Sequence, residues 1–157
     1  MRRAGRRPLG KYPEDSHIST MIFSLGVQLR KSANAMFRQR FSLSSTEWSI
    51  IGILYNNGAL SVGGICERLG RDKAQVSRDI ASLTERGLLH GTRDEVDRRR
   101  IVIDFTDEAL PFVDEFAGAL RDRNENFIAG LTKEEQAELR RMLVVLLRNA
   151  REMRAPD

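Results

Sequence analysis

From Ser19 to Phe41 apolar side chains recur at three- and four-residue intervals, as Ile22, Leu25, Leu29, Ala33, Met36 and Phe37. That spacing keeps them on one side of an α-helix. A long first helix is predicted, with a stripe wide enough to face more than one neighbour. Ser44 and Glu47 have the spacing of a capping box, in which each side chain satisfies an amide of the other residue. The second helix should therefore start there, turn Trp48, Ile51 and Leu54 inward, and stop at Asn56-Asn57-Gly58. Ser61 is placed to cap a short third helix carrying Ile65, Cys66 and Leu69, and Gly70 to end it in a left-handed conformation. Asp72 follows as the next N-cap, with Gln75 positioned to complete a second box, and this fourth helix runs to about Arg86 before Gly87. Two short helices joined by so tight a turn are the signature of a helix-turn-helix.

The period then changes to two. Leu88, Leu89 and His90 lead to Thr92, and Ile101, Val102, Ile103 and Phe105 form a β-branched return strand, with the charged stretch Arg93 to Arg100 between them. The expectation is a hairpin with an extended tip, a wing. Thr106 is read as the cap of a fifth helix with Phe112, Phe116, Leu120, Phe127 and Ile128 near one face, and Pro111 in its opening turns predicts a bend or an altered start. Thr132 and Glu135 form a third capping box before a sixth helix that aligns Leu139, Leu143, Leu146, Leu147 and Ala150. The predicted fold class is mainly α with a small β-hairpin wing: a winged helix-turn-helix flanked by long N- and C-terminal helices. No repeat of solenoid period is visible.

Composition bounds this picture. A chain of 157 residues suits one domain with a proper core. Residues 1–16 carry prolines and charges with no apolar period and are read as a basic arm, leaving 17–157 as the single domain. Arg2, Arg3, Arg6, Arg7 and Lys11 supply five of the 26 basic residues, and Glu14 and Asp15 two of the 22 acidic ones, leaving 21 basic against 20 acidic residues in the body, which is near neutral, so any polyanion footprint must be local. A lone cysteine, Cys66, excludes a disulfide framework and a zinc site built on paired cysteines, and fits a reducing, cytoplasmic compartment. The twin arginines lack the apolar segment of an export signal after them. The densest apolar run, Met142 to Leu147, is far below the roughly 20 residues needed to span a bilayer.

The chemistry concentrates in the fourth helix and the wing. Val76, Ile80 and Leu83 share one face of the helix, while Ala74, Arg78 and Ser82 look the other way, flanked by Gln75 and Ser77. Such a small, donor-rich face can enter a major groove, where Gln and Arg offer the paired donors that adenine and guanine edges accept. Lys73, near the helix start, suits a phosphate. Arg98, Arg99 and Arg100 at a hairpin tip can reach a minor groove, whose negative potential is strongest where it is narrow, and Asp97 can hold one of them by a charge-assisted hydrogen bond.

Leu43 to Trp48, Ser61 to Leu69, Asp72 to Leu83 with Arg86-Gly87-Leu88, and Asp97-x-Arg99 followed by Phe105-Thr106 together resemble the MarR family of bacterial winged-helix regulators. The resemblance covers the chain from about Ser19 onward, and its specificity lies in the joint order of turn, recognition helix, D-x-R wing and final threonine. It implies a homodimer on a near-palindromic double-stranded DNA operator, with a DNA-binding lobe at about 44–106 and dimerisation helices at about 19–41 and 107–153. It also implies a pocket for a small-molecule effector, Arg99 as the minor-groove arginine and Asp97 as its partner. Cys66 stands where the family usually has alanine, and Phe105 where it has leucine. The cysteine-based peroxide sensors of the family carry their thiol near the start of the chain, where this one has none.

Other readings fare worse. With His17 and His90 as the only histidines and no G-x-S-x-G, H-E-x-x-H or phosphate-binding loop, no catalytic residues, cofactor or metal site are expected. Cys66 is read as a small core residue, and the aromatic residues of the fifth helix as packing. A winged-helix module that binds protein without ligand response would put acids or exposed apolar residues at positions 74–82 and 98–100, and the opposite is found. For an effector, Trp48, Phe37 and Met36 offer apolar area while His17, Arg30 and Arg38 can meet an anion, which points to an aromatic carboxylate or its thioester.

Overall fold

The computed structural model describes residues 17–93 and 101–153. The chain divides into two units, residues 1–108 and 109–157. In the first, α1 (Ile18–Phe41), α2 (Ser45–Asn57), β1 (Leu60–Ser61), α3 (Val62–Leu69), α4 (Lys73–Glu85), β2 (Leu89–Arg93) and β3 (Ile101–Phe105) follow in order. The second holds α5 (Leu110–Phe127) and α6 (Lys133–Glu152).

Short polar side chains place the helix starts in the first unit. The Ser44 hydroxyl accepts from the Glu47 amide while the Glu47 carboxylate accepts from the Ser44 amide, closing the expected box. Ser61 caps α3 through the Gly64 amide, and Asp72 caps α4 through the Gln75 amide. Gly70 ends α3 at φ 60°, with its amide on the Cys66 carbonyl, and this left-handed residue lets α4 begin two residues later. Packed between α2, α3 and α4 is a core of Ile50, Ile51, Leu54, Ile65, Val76, Ile80 and Leu83, to which the last turns of α1 add Phe37 and Phe41. Burying each such side chain is worth about 1.5–3 kcal/mol, so the three helices behind the turn behave as one body.

The sheet has three strands, ordered β1-β3-β2, all antiparallel, instead of the expected two-stranded hairpin. Leu60 pairs with Ile103 and Ser61 with Val102, which ties the segment before α3 to the wing. In β2 a Cβ at Gly91 would come within 3.0 Å of the Ile101 side chain, so the close pairing of the wing strands favours glycine there.

Thr106 stands before a short 3-10 turn and not directly before α5. Its hydroxyl donates to the Gly87 carbonyl at 2.6 Å and its amide to Leu88 at 3.2 Å, fastening the end of β3 to the turn after α4. A 3-10 turn, Asp107–Ala109, intervenes, and α5 starts with Pro111 in its first turn, where the missing N–H costs nothing. In α5, Phe112 and Phe116 stack with centroids 6.4 Å apart. The Thr132–Glu135 box opens α6 as expected, yet α6 buries none of its residues. Among the described residues no helix is long and apolar enough to cross a membrane.

Candidate nucleic-acid interface

Val76, Ile80 and Leu83 fix the inner face of α4 against the core, leaving Lys73, Ala74, Ser77 and Arg78 exposed. The Gln75 side chain does not reach back to complete a capping box with Asp72. It lies along the helix instead: its Nε2 donates to Asp79 Oδ2 at 2.7 Å and its Oε1 accepts from Arg78 Nη2 at 2.8 Å. Residues three and four apart are neighbours on a helix surface, and that proximity outcompetes the cap. One of five guanidinium donors is thereby used to steady Arg78, with capacity left for the two acceptors of a guanine edge. Asp79, absent from the sequence reading, was detectable as the i+4 partner of Gln75.

Ser82 sits differently from its predicted place on the outer face. It is half-buried, and its hydroxyl donates to Glu47 Oε1 at 2.8 Å across 35 residues of sequence. Spacings of four, three and four residues put Gln75, Asp79, Ser82 and Arg86 along one flank of α4, and at its C-terminal end Ser82 and Arg86 meet Glu47 in the first turn of α2. Arg86 also lies beside Glu47, with Nη1 4.0 Å from Oε1. Burial raises the Glu47 pKa, but the bonds from the Ser44 amide, the Ser82 and Ser44 hydroxyls and the Arg86 charge outweigh it and hold the carboxyl below its ordinary value.

Of the wing, the strands and the Thr106 fastening are described, while Asp97, Arg98, Arg99 and Arg100 lie outside the described residues.

A second feature opens where α1 meets α2 and α3. Arg30, Asn34, Ser45, Trp48, Ser49, Arg68, Leu69 and Arg71 line a pocket of about 220 Å³. The Trp48 indole donates to Asn34 Oδ1 at 2.8 Å and stacks on Phe37, centroids 5.1 Å apart. Two of the predicted ligand residues, Arg30 and Trp48, thus come together. The other four do not line it: Phe37 is fully buried against Trp48, Met36 is half-buried, Arg38 is exposed in the last turn of α1, and His17 is exposed before its first turn, roughly 20 Å along the helix from Arg30 at 1.5 Å per residue. In their place stand Arg68 and Arg71, from the end of α3 and the following turn. Their only sequence signal was basic charge beside the Leu69-Gly70 helix end.

Residues 41–100 match the sequence profile of the MarR family. The chain is 29% identical over 126 residues to an uncharacterised HTH-type transcriptional regulator, YwaE, of Bacillus subtilis strain 168, an alignment that spans 80% of this chain and 74% of the relative. The crystal structure of a MarR/EmrR family transcriptional regulator from Acinetobacter sp. ADP1 superposes with a TM-score of 0.75 at 26% identity, covering 87% of this chain and 96% of that one. The fold is shared at 19% identity and a TM-score of 0.70 with Staphylococcus aureus MepR in a MepR–DNA complex, over 87% and 99% of the two chains.

Proposed function

We propose, from the match of residues 41–100 to the MarR family and the shared fold, that this chain is a MarR-family cytoplasmic transcription regulator that binds double-stranded DNA as a homodimer and acts as a ligand-released repressor. The observation that carries the DNA reading is α4: its apolar face is fully consumed by the core while Lys73, Ser77 and the Gln75-steadied Arg78 stand exposed. In this reading Ala74 lets the helix approach the groove closely, Lys73 meets a phosphate, and Gln75 and Arg78 face base edges. Arg99 enters the minor groove, aimed by Asp97 and flanked by Arg98 and Arg100. The winged lobe spans about 44–106.

The helices at about 19–41 and 107–153 form the dimer interface. Supporting this, Ile18, Ile22, Phe23, Leu25 and Val27 on the first half of α1 are exposed, as is every residue from Met142 to Leu147 on α6. Exposed apolar area on that scale, in each unit taken by itself, marks an interaction surface. A two-fold dimer presents its recognition helices symmetrically, so the operator is a near-palindrome with half-site centres about one helical turn apart.

The effector is an aromatic carboxylate or its thioester, seated in the Trp48 pocket with its anion among Arg30, Arg68 and Arg71. The size of that pocket suits a single ring, with a thioester tail projecting outward. Selection of bound fragments from the genome of the source organism tests the DNA reading, and enrichment of one near-palindromic sequence is expected. Trp48 fluorescence and operator release, titrated with a panel of aromatic acids, test the effector. No response from any member contradicts it.

A further inference from the structure

The apolar packing beneath α4 is non-directional. Val76, Ile80 and Leu83 hold the helix down and set which face it turns inward, and directional bonds add to this the fine setting of its rotation and slide. Recognition of a base edge needs that fine setting, because useful hydrogen bonds tolerate only about half an ångström of misplacement.

One buried carboxylate supplies directional ties. Glu47 is 6% exposed. Its Oε2 accepts from the Ser44 amide at 2.7 Å, anchoring it to the start of α2, and its Oε1 accepts from the Ser82 hydroxyl at 2.8 Å, one turn beyond Arg78 on α4. Arg86, the C-cap of α4, lies against the same Oε1 and carries the tie onward to α1. Its Nη2 donates to the Phe41 carbonyl at 3.0 Å and its Nη1 to Ser42 at 3.4 Å. Ser42 is the one described non-glycine residue with positive φ, 54°, a conformation that persists only where its surroundings over-determine it. The end of α1, the start of α2 and the last turn of the recognition helix thus converge on one side chain.

We propose that Glu47 is the positioning residue of the recognition helix, setting the aim of α4 through Ser82 and Arg86 although it never touches DNA. This rests on the DNA-binding reading above. A capping box alone requires one carboxylate oxygen; it is the second oxygen, spent on Ser82, that makes the residue specific to α4. The carboxylate and Ser82 therefore act as a unit, and their removal should not be additive.

The test uses the full chain as wild type, Glu47→Gln, Ser82→Ala and the double variant, each shown folded by circular dichroism at the assay temperature. Affinity is measured for the selected operator and for a length-matched random duplex. The expected result is an operator-to-random ratio lowered about tenfold in either single variant, the scale of a hydrogen bond to a charged group, with no further loss in the double. A merely structural role lowers the folded fraction, reduces both affinities alike and leaves the ratio unmoved. Unchanged ratios overturn the proposal, as do additive losses or a loss confined to Ser82→Ala, which would make Ser82 a direct contact. If Glu47→Gln does not fold, Arg86→Met with Ser82→Ala supplies the same cycle. A wild type that does not discriminate operator from random duplex overturns the DNA reading itself, and the proposal with it.

Discussion

Helices α4 and α6 start alike and end up in opposite circumstances. Each is capped by a short polar side chain, Asp72 or Thr132, and each carries an apolar stripe at helical spacing. In α4 that stripe is gone from the surface, with Val76 and Leu83 wholly buried, so what remains outside is polar and available for recognition. In α6 the whole run from Met142 to Leu147 stays exposed, Leu147 at 59%. The same periodicity therefore means two things: a face already satisfied within the chain in α4, and in α6 a face that a partner subunit is proposed to satisfy.

Substitutions on the two apolar faces should act differently. The largest effect is expected from Leu147→Asp, which puts a charge into the proposed dimer core. Aggregation or unfolding should follow in size-exclusion chromatography and circular dichroism, and a soluble, folded monomer would contradict the interface. Next, Leu83→Ala on the satisfied face of α4 should cost about 2–5 kcal/mol in urea unfolding, as large-to-small changes in cores do. An effect no larger than a surface substitution gives would mean that α4 is not packed as described.

Acid should act on the α4 side through Glu47. Its carboxyl is held below the ordinary value of 4.5, so the stability it contributes is fully present above that pH and is lost as pH falls through its lower folded value. The stability difference between wild type and Glu47→Gln should shrink accordingly on acidification, read from urea midpoints at a series of pH values. A difference that grows instead would reverse the sign. Smallest of all, Ser61→Ala removes the cap of α3 and should cost about 1 kcal/mol.

The residues explain why some features were legible in the sequence and others were not. Ser44–Glu47, Ser61, Asp72 and Thr132–Glu135 announced their helices because capping is local, complete within four residues. β1 was invisible because two residues, Leu60 and Ser61, become a strand only by pairing with Ile103 and Val102, some forty positions away. At Thr106 the sequence showed the acceptor lone pairs of a cap, and only the folded turn at Gly87 shows where its hydroxyl proton goes. For Glu47 the sequence accounted for one carboxylate oxygen and gave no hint of the other, whose partner lies in α4. In the candidate site the outer face of α4 was readable from periodicity, except at Ser82 on its flank. The pocket was half readable: Trp48 and Arg30 stand out by type, but that Arg68 and Arg71 join them depends on how α3 packs.

In the proposed regulator α4 reads base edges. The direct measurement is fluorescence anisotropy of wild type and Arg78→Ala on the selected operator and on operators altered one base pair at a time, across several salt concentrations. Loss of a bidentate contact should remove about 1–3 kcal/mol of discrimination at one position of each half-site and leave the other positions as selective as before. Wild-type discrimination retained at every position by Arg78→Ala would contradict it.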